Sequence, residues 1–203
     1  QRFLVLERLF GEPLSASIRV LHAKQTVPFI VDIFAQLLSA VHAAHGARII
    51  HRDLSPKNVF LVDRLGLPPV VKVLDFGLAR DVSGVRNTLR PSSGRVRLGT
   101  IAYMSPEQLQ GEEVDRRSDI FAIGILLYQA LTGRHPFAAS NFDGFQKRLL
   151  DEPPFPITER AIPPALTKVV MRALAKSMND RFASALEMQS ELTRSLEPPS
   201  SRA

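Results

Sequence analysis

The sequence predicts an α+β fold that is mostly helical, with one leading strand and a short β-hairpin set among the helices. Three observations carry this. Apolar residues recur at helical spacing over long stretches, as in Phe29, Ile30, Ile33, Leu37, Leu38 and Val41. Two short β-rich runs, Val59-Phe60-Leu61-Val62 and Val70-Val71-Lys72-Val73-Leu74, flank a segment crowded with turn formers at 63–69. The 203 residues, 45% of them hydrophobic, are enough for one core.

In chain order, Phe3-Leu4-Val5-Leu6-Glu7 reads as a short apolar strand. Gly11-Glu12-Pro13 is expected to end it and open a helix over 14–21. Thr26 is expected to cap the next helix, with Pro28 tolerated in its first turn and Gly46 terminating it. The hairpin follows. From 78 to 97 the sequence turns polar and loop-forming, and a loop of that length is usually functional. Ser105-Pro106-Glu107 starts a short helix. The most apolar helix runs over 115–132 and is closed by Gly133. Further helices are expected near 142–150, 164–175 and 184–195, with Pro153-Pro154-Phe155-Pro156 as a rigid extended connection. The Pro- and Ser-rich tail at 197–203 reads as the start of a disordered linker.

Composition removes several classes of function. There is no cysteine, so neither a disulfide framework nor a thiolate metal site is possible. The net charge of +6 is scattered, without the aromatic-interleaved basic stretch of a nucleic-acid binder, and no nucleic-acid partner is expected. The local basic excess, Arg80, Arg86, Arg90, Arg95 and Arg97 against Asp81, fits a regulatory loop. No signal peptide is visible, and the longest apolar run, 120–130, is too short to span a bilayer. A cytoplasmic location is expected, with any membrane tether outside this chain. The chain starts at Gln1 and enters a strand at once, so it is expected to be cut from something longer.

The chemistry is concentrated around the hairpin. Asn58 immediately precedes its first strand and Asp75 immediately follows its second. Paired antiparallel, the strands bring these two out side by side, about 5 Å apart. An amide oxygen beside a carboxylate makes a hard oxygen site suited to Mg²⁺. Asp53, one short loop away, is placed to accept a proton from an incoming hydroxyl.

Three motifs occur in order: His51-Arg52-Asp53-Leu54-Ser55-Pro56-Lys57-Asn58, then Asp75-Phe76-Gly77, then Ser105-Pro106-Glu107 after Gly99-Thr100-Ile101-Ala102-Tyr103-Met104. In these the chain resembles the protein kinases, above all bacterial serine/threonine kinases of the eukaryotic-like type. The resemblance covers essentially the whole chain. It implies a protein kinase domain over 1–196, made of the hinge strand and the helical C-terminal lobe without the N-terminal lobe, and a linker from 197 to 203.

The resemblance also implies roles. Asp53 orients the substrate hydroxyl and takes its proton, while Asp75 and Asn58 hold Mg²⁺ on the phosphates of ATP. Arg52 pairs a phosphate on the activation loop, for which Thr88, Ser92 and Ser93 are the candidate carriers. Thr100 bonds the base and marks serine/threonine specificity. Adenine meets the backbone of Glu7 and Leu9, with Leu6 as gatekeeper and Phe60 beneath the ring. Glu107 and Arg181 form a buried ion pair, Asp119 bonds the backbone of the catalytic loop, and His51 packs under that loop. His42 and His45, near a helix end, read as dipole-compensating residues rather than metal ligands. His22 and His135 carry no signal. Protein substrates are the implied partners.

Two departures from the family pattern stand out. Ser55 occupies a position where most serine/threonine kinases carry a lysine on the transferred phosphate. In addition, no G-x-G-x-x-G occurs anywhere in the chain, so nothing in it covers the triphosphate, and this stretch alone is expected not to transfer phosphate. A pseudokinase or kinase-like scaffold is the alternative reading. The presence of Asp53, Asn58 and Asp75 together argues against it.

Overall fold

The computed structural model describes residues 7–76 and 101–197. These form a small antiparallel sheet set against a helical body. Strand β1 is Gly11–Pro13, β2 is Val59–Arg64 and β3 is Leu67–Val73, in the spatial order β1-β2-β3. The helices are α1 (Leu14–Lys24), α2 (Val27–Gly46), α3 (Pro106–Gln110), α4 (Arg116–Thr132), α5 (Phe142–Asp151), α6 (Pro164–Ala173) and α7 (Ala185–Arg194).

Strand β1 corrects the expectation that Gly11-Glu12-Pro13 merely ends a strand. The segment is itself a strand, with Glu12 opposite Leu61. Gly11 makes this possible. Its φ is +138°, and a Cβ there would lie 2.0 Å from the carbonyl oxygen of Leu61. Only glycine lets the two backbones come this close.

The hairpin is also longer and tighter than its turn-rich middle suggested. Arg64 pairs with Leu67 across a two-residue turn, Leu65-Gly66, in which Gly66 has φ +69°. Pro68 and Pro69 therefore lie inside β3. They are tolerated because β3 is at the edge of the sheet. That edge is met by Gln36 of α2, whose Oε1 accepts the Val71 N–H at 3.0 Å while its Nε2 donates to the Pro69 carbonyl at 3.3 Å.

Alternation along β2 buries Val59 and Leu61 and leaves Phe60 and Val62 half-buried on the other face. In the sheet, β2 meets α1 and β3 meets α2, which also packs on α4 and α7. α2 is long and apolar enough to cross a membrane by length and composition, but Ile33, Phe34, Leu37, Leu38 and Val41 are fully buried in the core. Thr26 occupies the N-cap of α2 without a side-chain capping bond, and Pro28 lies in the first turn. Gly46 does not supply the stop. Arg48 does, with φ 60°: its N–H reaches the His45 carbonyl and the Ile49 N–H reaches that of Ala44, a Schellman closure.

α4 is buried on nearly every side, which fits a sequence without amphipathic alternation. The Asp115 side chain caps its start through the Arg117 N–H, and Gly133 at φ +70° ends it. Gly124 lets α6 approach closely: a Cβ there would meet Ala173 at 3.0 Å. Helix α7 begins at Ala185, capped by Ser184, and α6 stops at Ala173, two residues short of the expected end. The expected strand residues 3–6, the polar loop over 78–97 and the tail from 198 on lie outside the described residues.

Candidate active site

The site is assembled around one buried carboxylate. Asp119, in the first turn of α4, is 1% exposed. Its Oδ2 accepts the His51 N–H at 2.9 Å and its Oδ1 accepts the Arg52 N–H at 2.9 Å. His45 Nε2 donates to Oδ2 at 2.8 Å. The end of α2, the loop that follows it and the start of α4 thus converge on one charged acceptor, where bonds are stronger than between neutral groups. This corrects the reading of His45 as a dipole-compensating residue, whereas His42 is exposed. Arg52 takes φ 65°, an unfavourable backbone conformation for arginine that the surrounding bonds hold in place.

The peptide unit between Arg52 and Asp53 is gripped at both polar atoms. Its oxygen accepts from Gln108 Nε2 at 2.7 Å, and its N–H donates to His51 Nδ1 at 3.3 Å. Because Nδ1 accepts, Nε2 of His51 carries the proton and donates to the Leu74 carbonyl at 2.9 Å. The His51 ring also lies against Phe76, centroid to centroid 5.0 Å. His51 thus does more than pack, since it ties the loop of Asp53 to the end of β3.

That tie brings the predicted metal ligands toward Asp53. Val59 pairs with Val73, and the Leu74 N–H donates to the Asn58 carbonyl at 2.8 Å. Leu74, rather than Asp75, is therefore directly across from Asn58, and Asp75 is one residue farther on, with φ 58°. Asn58 Nδ2 donates to the Asp53 carbonyl at 2.8 Å. This commits the amide nitrogen and leaves Oδ1 as the available ligand atom. Asp53 and Asp75 are exposed and Asn58 half-buried, as a site open to substrate requires. One amide oxygen and one carboxylate are the hard donors that Mg²⁺ selects, so the residues present fit that ion. Ser55 is half-buried. Its carbonyl accepts the Asn58 N–H at 3.0 Å, which closes the turn between Asp53 and Asn58.

Below the loop, Glu107 in α3 and Arg181 are both buried and share two bonds, at 2.7 and 2.8 Å. Burial pushes the Glu107 carboxyl up, but the Arg181 bonds and charge, with the Ser118 hydroxyl donating at 2.5 Å, outweigh it and hold the group below the usual glutamate range. On the opposite side of the sheet, Lys72 Nζ meets Glu7 Oε2 at 2.5 Å. Lys72 is opposite Phe60 in the register, so the segment of Glu7 and Leu9 is drawn toward the half-buried Phe60. Leu6, Thr88, Ser92, Ser93 and Thr100 lie outside the described residues.

Two contributors escaped sequence reasoning. The signal that could have pointed to Gln108 is the capping-box pattern Ser105-Pro106-Glu107-Gln108, and the structure forms that box. The second bond of Gln108, to Arg52, had no local signal. His135 likewise gave none, yet its Nδ1 accepts the Phe137 N–H at 3.1 Å and its Nε2 donates to the Ala102 carbonyl at 2.8 Å.

Comparison with known proteins identifies the family. The family profile described as "Protein kinase domain" matches residues 1–192. Serine/threonine-protein kinase pkn3 of Myxococcus xanthus is 43% identical over 167 residues, covering 80% of this chain and 30% of the relative. Serine/threonine-protein kinase Pkn1 of the same organism is 42% identical over 187 residues, covering 90% and 26%. Serine/threonine-protein kinase PknB of Mycobacterium tuberculosis is 32% identical over 201 residues, covering 97% and 31%. The chain spans at most about a third of the length of these relatives.

Proposed function

The chain belongs to the protein kinase family, and from that premise we propose that it carries the phosphoryl-transfer centre of a serine/threonine protein kinase that uses ATP and Mg²⁺. The observation that carries the reading is the bond from Asn58 Nδ2 to the Asp53 carbonyl, beside the strand end that presents Asp75. It ties the proposed base to one proposed ligand, Asn58, within a single turn. Relatives named serine/threonine-protein kinases support the choice of substrate hydroxyl.

In this reading the oxygen of a protein Ser or Thr hydroxyl attacks the γ-phosphorus of ATP. The bond from that phosphorus to the bridging oxygen breaks, ADP leaves, and the hydroxyl proton passes to Asp53. Most of the catalysis is positioning and charge neutralisation. Asn58 and Asp75 would hold Mg²⁺, which neutralises phosphate charge when bound. Asp119 and His51 hold the backbone on which Asp53 rides. The exposed Arg52 would pair an activation-loop phosphate on Thr88, Ser92 or Ser93, and Thr100 would bond the base. Glu7 and Leu9 would meet adenine by their backbone, with Leu6 as gatekeeper and Phe60 beneath the ring. The kinase domain would act in the cytoplasm, where ATP is supplied.

The decisive experiment uses the complete gene product. Asp53→Asn should abolish autophosphorylation and peptide phosphorylation while leaving ATP binding within about threefold, because the base makes no ground-state contact that binding needs. Equal phosphorylation by parent and variant would overturn the reading, and an inactive parent that still binds partners would favour a kinase-like scaffold. Residues 1–203 alone should transfer no phosphate, since no glycine-rich loop is present to cover the triphosphate.

A further inference from the structure

Gln108 is 7% exposed and sits at the third position of α3. Its Oε1 accepts both the Ser105 N–H at 3.0 Å and the Ser105 hydroxyl at 3.1 Å. Its Nε2 donates to the Arg52 carbonyl at 2.7 Å. The network fixes the orientation of the amide. A carbonyl oxygen can only accept and a backbone N–H can only donate, so nitrogen must face Arg52 and oxygen must face Ser105. A helix cap needs the oxygen alone. The nitrogen end, at the shorter distance, is spent on another segment 56 residues away in sequence.

The target of that bond is the peptide linking Arg52 to Asp53. Arg52 stands at φ 65°, and its N–H is already held by Asp119. Left to itself, a left-handed arginine would relax by turning one of its two peptide planes. Asp119 blocks rotation of the plane before Arg52. Of the plane after it, the N–H has only a long bond to His51 Nδ1, at 3.3 Å, whereas Gln108 holds the oxygen at 2.7 Å. The stronger restraint on the peptide that aims Asp53 is therefore a side chain from the helix that opens at Ser105.

We propose that Gln108 is a positioning residue for phosphoryl transfer, fixing the Arg52–Asp53 peptide and coupling the start of α3 to the aim of Asp53. The inference rests on the kinase reading above and assigns to this side chain a role that capping alone does not require.

The test compares substitutions in the complete kinase, with kcat and the KM values for ATP and peptide measured beside thermal unfolding. Gln108→Glu keeps an acceptor for Ser105 but sets an oxygen against the Arg52 carbonyl. Ser105→Ala removes the capping bonds of the hydroxyl and leaves the bond to Arg52. The expected result is a fall in kcat of roughly 10-fold or more for Gln108→Glu with KM for ATP within about twofold, and a kcat within about twofold of the parent for Ser105→Ala. Should buried charge keep Gln108→Glu from folding, the neutral and similarly sized Gln108→Met should show the same loss of kcat. An unchanged kcat in the folded Gln108 variant, or an equal loss in Ser105→Ala, overturns the proposal. A parent without phosphotransfer overturns the kinase reading instead, so the two failures are told apart.

Discussion

Arg181 holds both carboxylate oxygens of Glu107, Nη1 on Oε1 at 2.7 Å and Nη2 on Oε2 at 2.8 Å. Its remaining N–H groups reach the carbonyls of Ala175, Arg117 and Lys176, so every guanidinium donor is used. Lysine, with a single nitrogen, cannot reproduce that fork. Arg181→Met should therefore cost about 3–5 kcal/mol, because it strands a buried carboxylate, and lower the melting temperature by roughly 10 °C. The pair Glu107→Gln with Arg181→Met should be milder than the sum of the singles. Thermal melts of the variants check both. The pH dependence follows from the lowered Glu107 group. Its contribution is present above the ordinary glutamate pKa and is lost as pH falls through the folded-state value.

Asp119 invites a sharper test, because it accepts three N–H groups and an asparagine cannot. The Asn side chain offers one oxygen, and its NH₂ would face a donor. Asp119→Asn should lower kcat by about 10²-fold through misplacement of Asp53, with a smaller effect on KM for ATP. Steady-state kinetics on the complete protein decides this. A kcat close to that of the parent would show that the loop keeps its aim without the carboxylate.

His135 predicts an acid limb in stability. Burial pushes its imidazole down to about 4, partly offset by the bond to the Ala102 carbonyl. The unfolded state then binds a proton between about pH 6.5 and 4 that the folded state refuses. Stability is full above that window and falls as pH drops through it, by about 3 kcal/mol in all. The physical reason is local: protonated Nδ1 could no longer accept the Phe137 N–H. Chemical denaturation of parent and His135→Gln at pH 7, 5.5 and 4 isolates the effect. The parent should lose stability relative to the variant, while parallel losses would assign the acid limb to other groups.

Local pattern made most of the fold legible. The period of α2, the all-round apolar run of α4 and the Gly133 stop are statements about neighbouring residues, and the structure places those elements where the pattern does. What stayed hidden depends on partners far away in sequence. Gly11 looked like punctuation because three residues are too few to show a strand period, and only the nearness of Leu61 explains it. Arg48 took the left-handed role assigned to neighbouring Gly46, since the closing bonds to Ala44 and His45 fix which residue turns. In the site, motif residues could be named from the chain alone, but the bonds of His45 to Asp119 and Gln108 to Arg52 join positions with no shared local signal.

Ser55 carries the last prediction. It follows Asp53 by two residues, half-buried, and its backbone closes the turn onto Asn58. A serine there can donate one hydrogen bond to a transferring phosphoryl group but supplies no charge. In a closed site of low dielectric, a positive charge on the phosphoryl oxygens contributes a few kcal/mol to the transition state, on the order of 10²-fold in rate. Ser55→Lys in the complete kinase should therefore raise kcat by roughly 10-fold or more. KM for ATP should move less, because charge develops on the phosphoryl group as the reaction proceeds. The substitution leaves the Ser55 carbonyl in place, so the turn to Asn58 should survive and melting should change little. Turnover that does not rise would mean that another cation already neutralises the phosphate, and Lys57, two residues on and exposed, is the first to remove in that case.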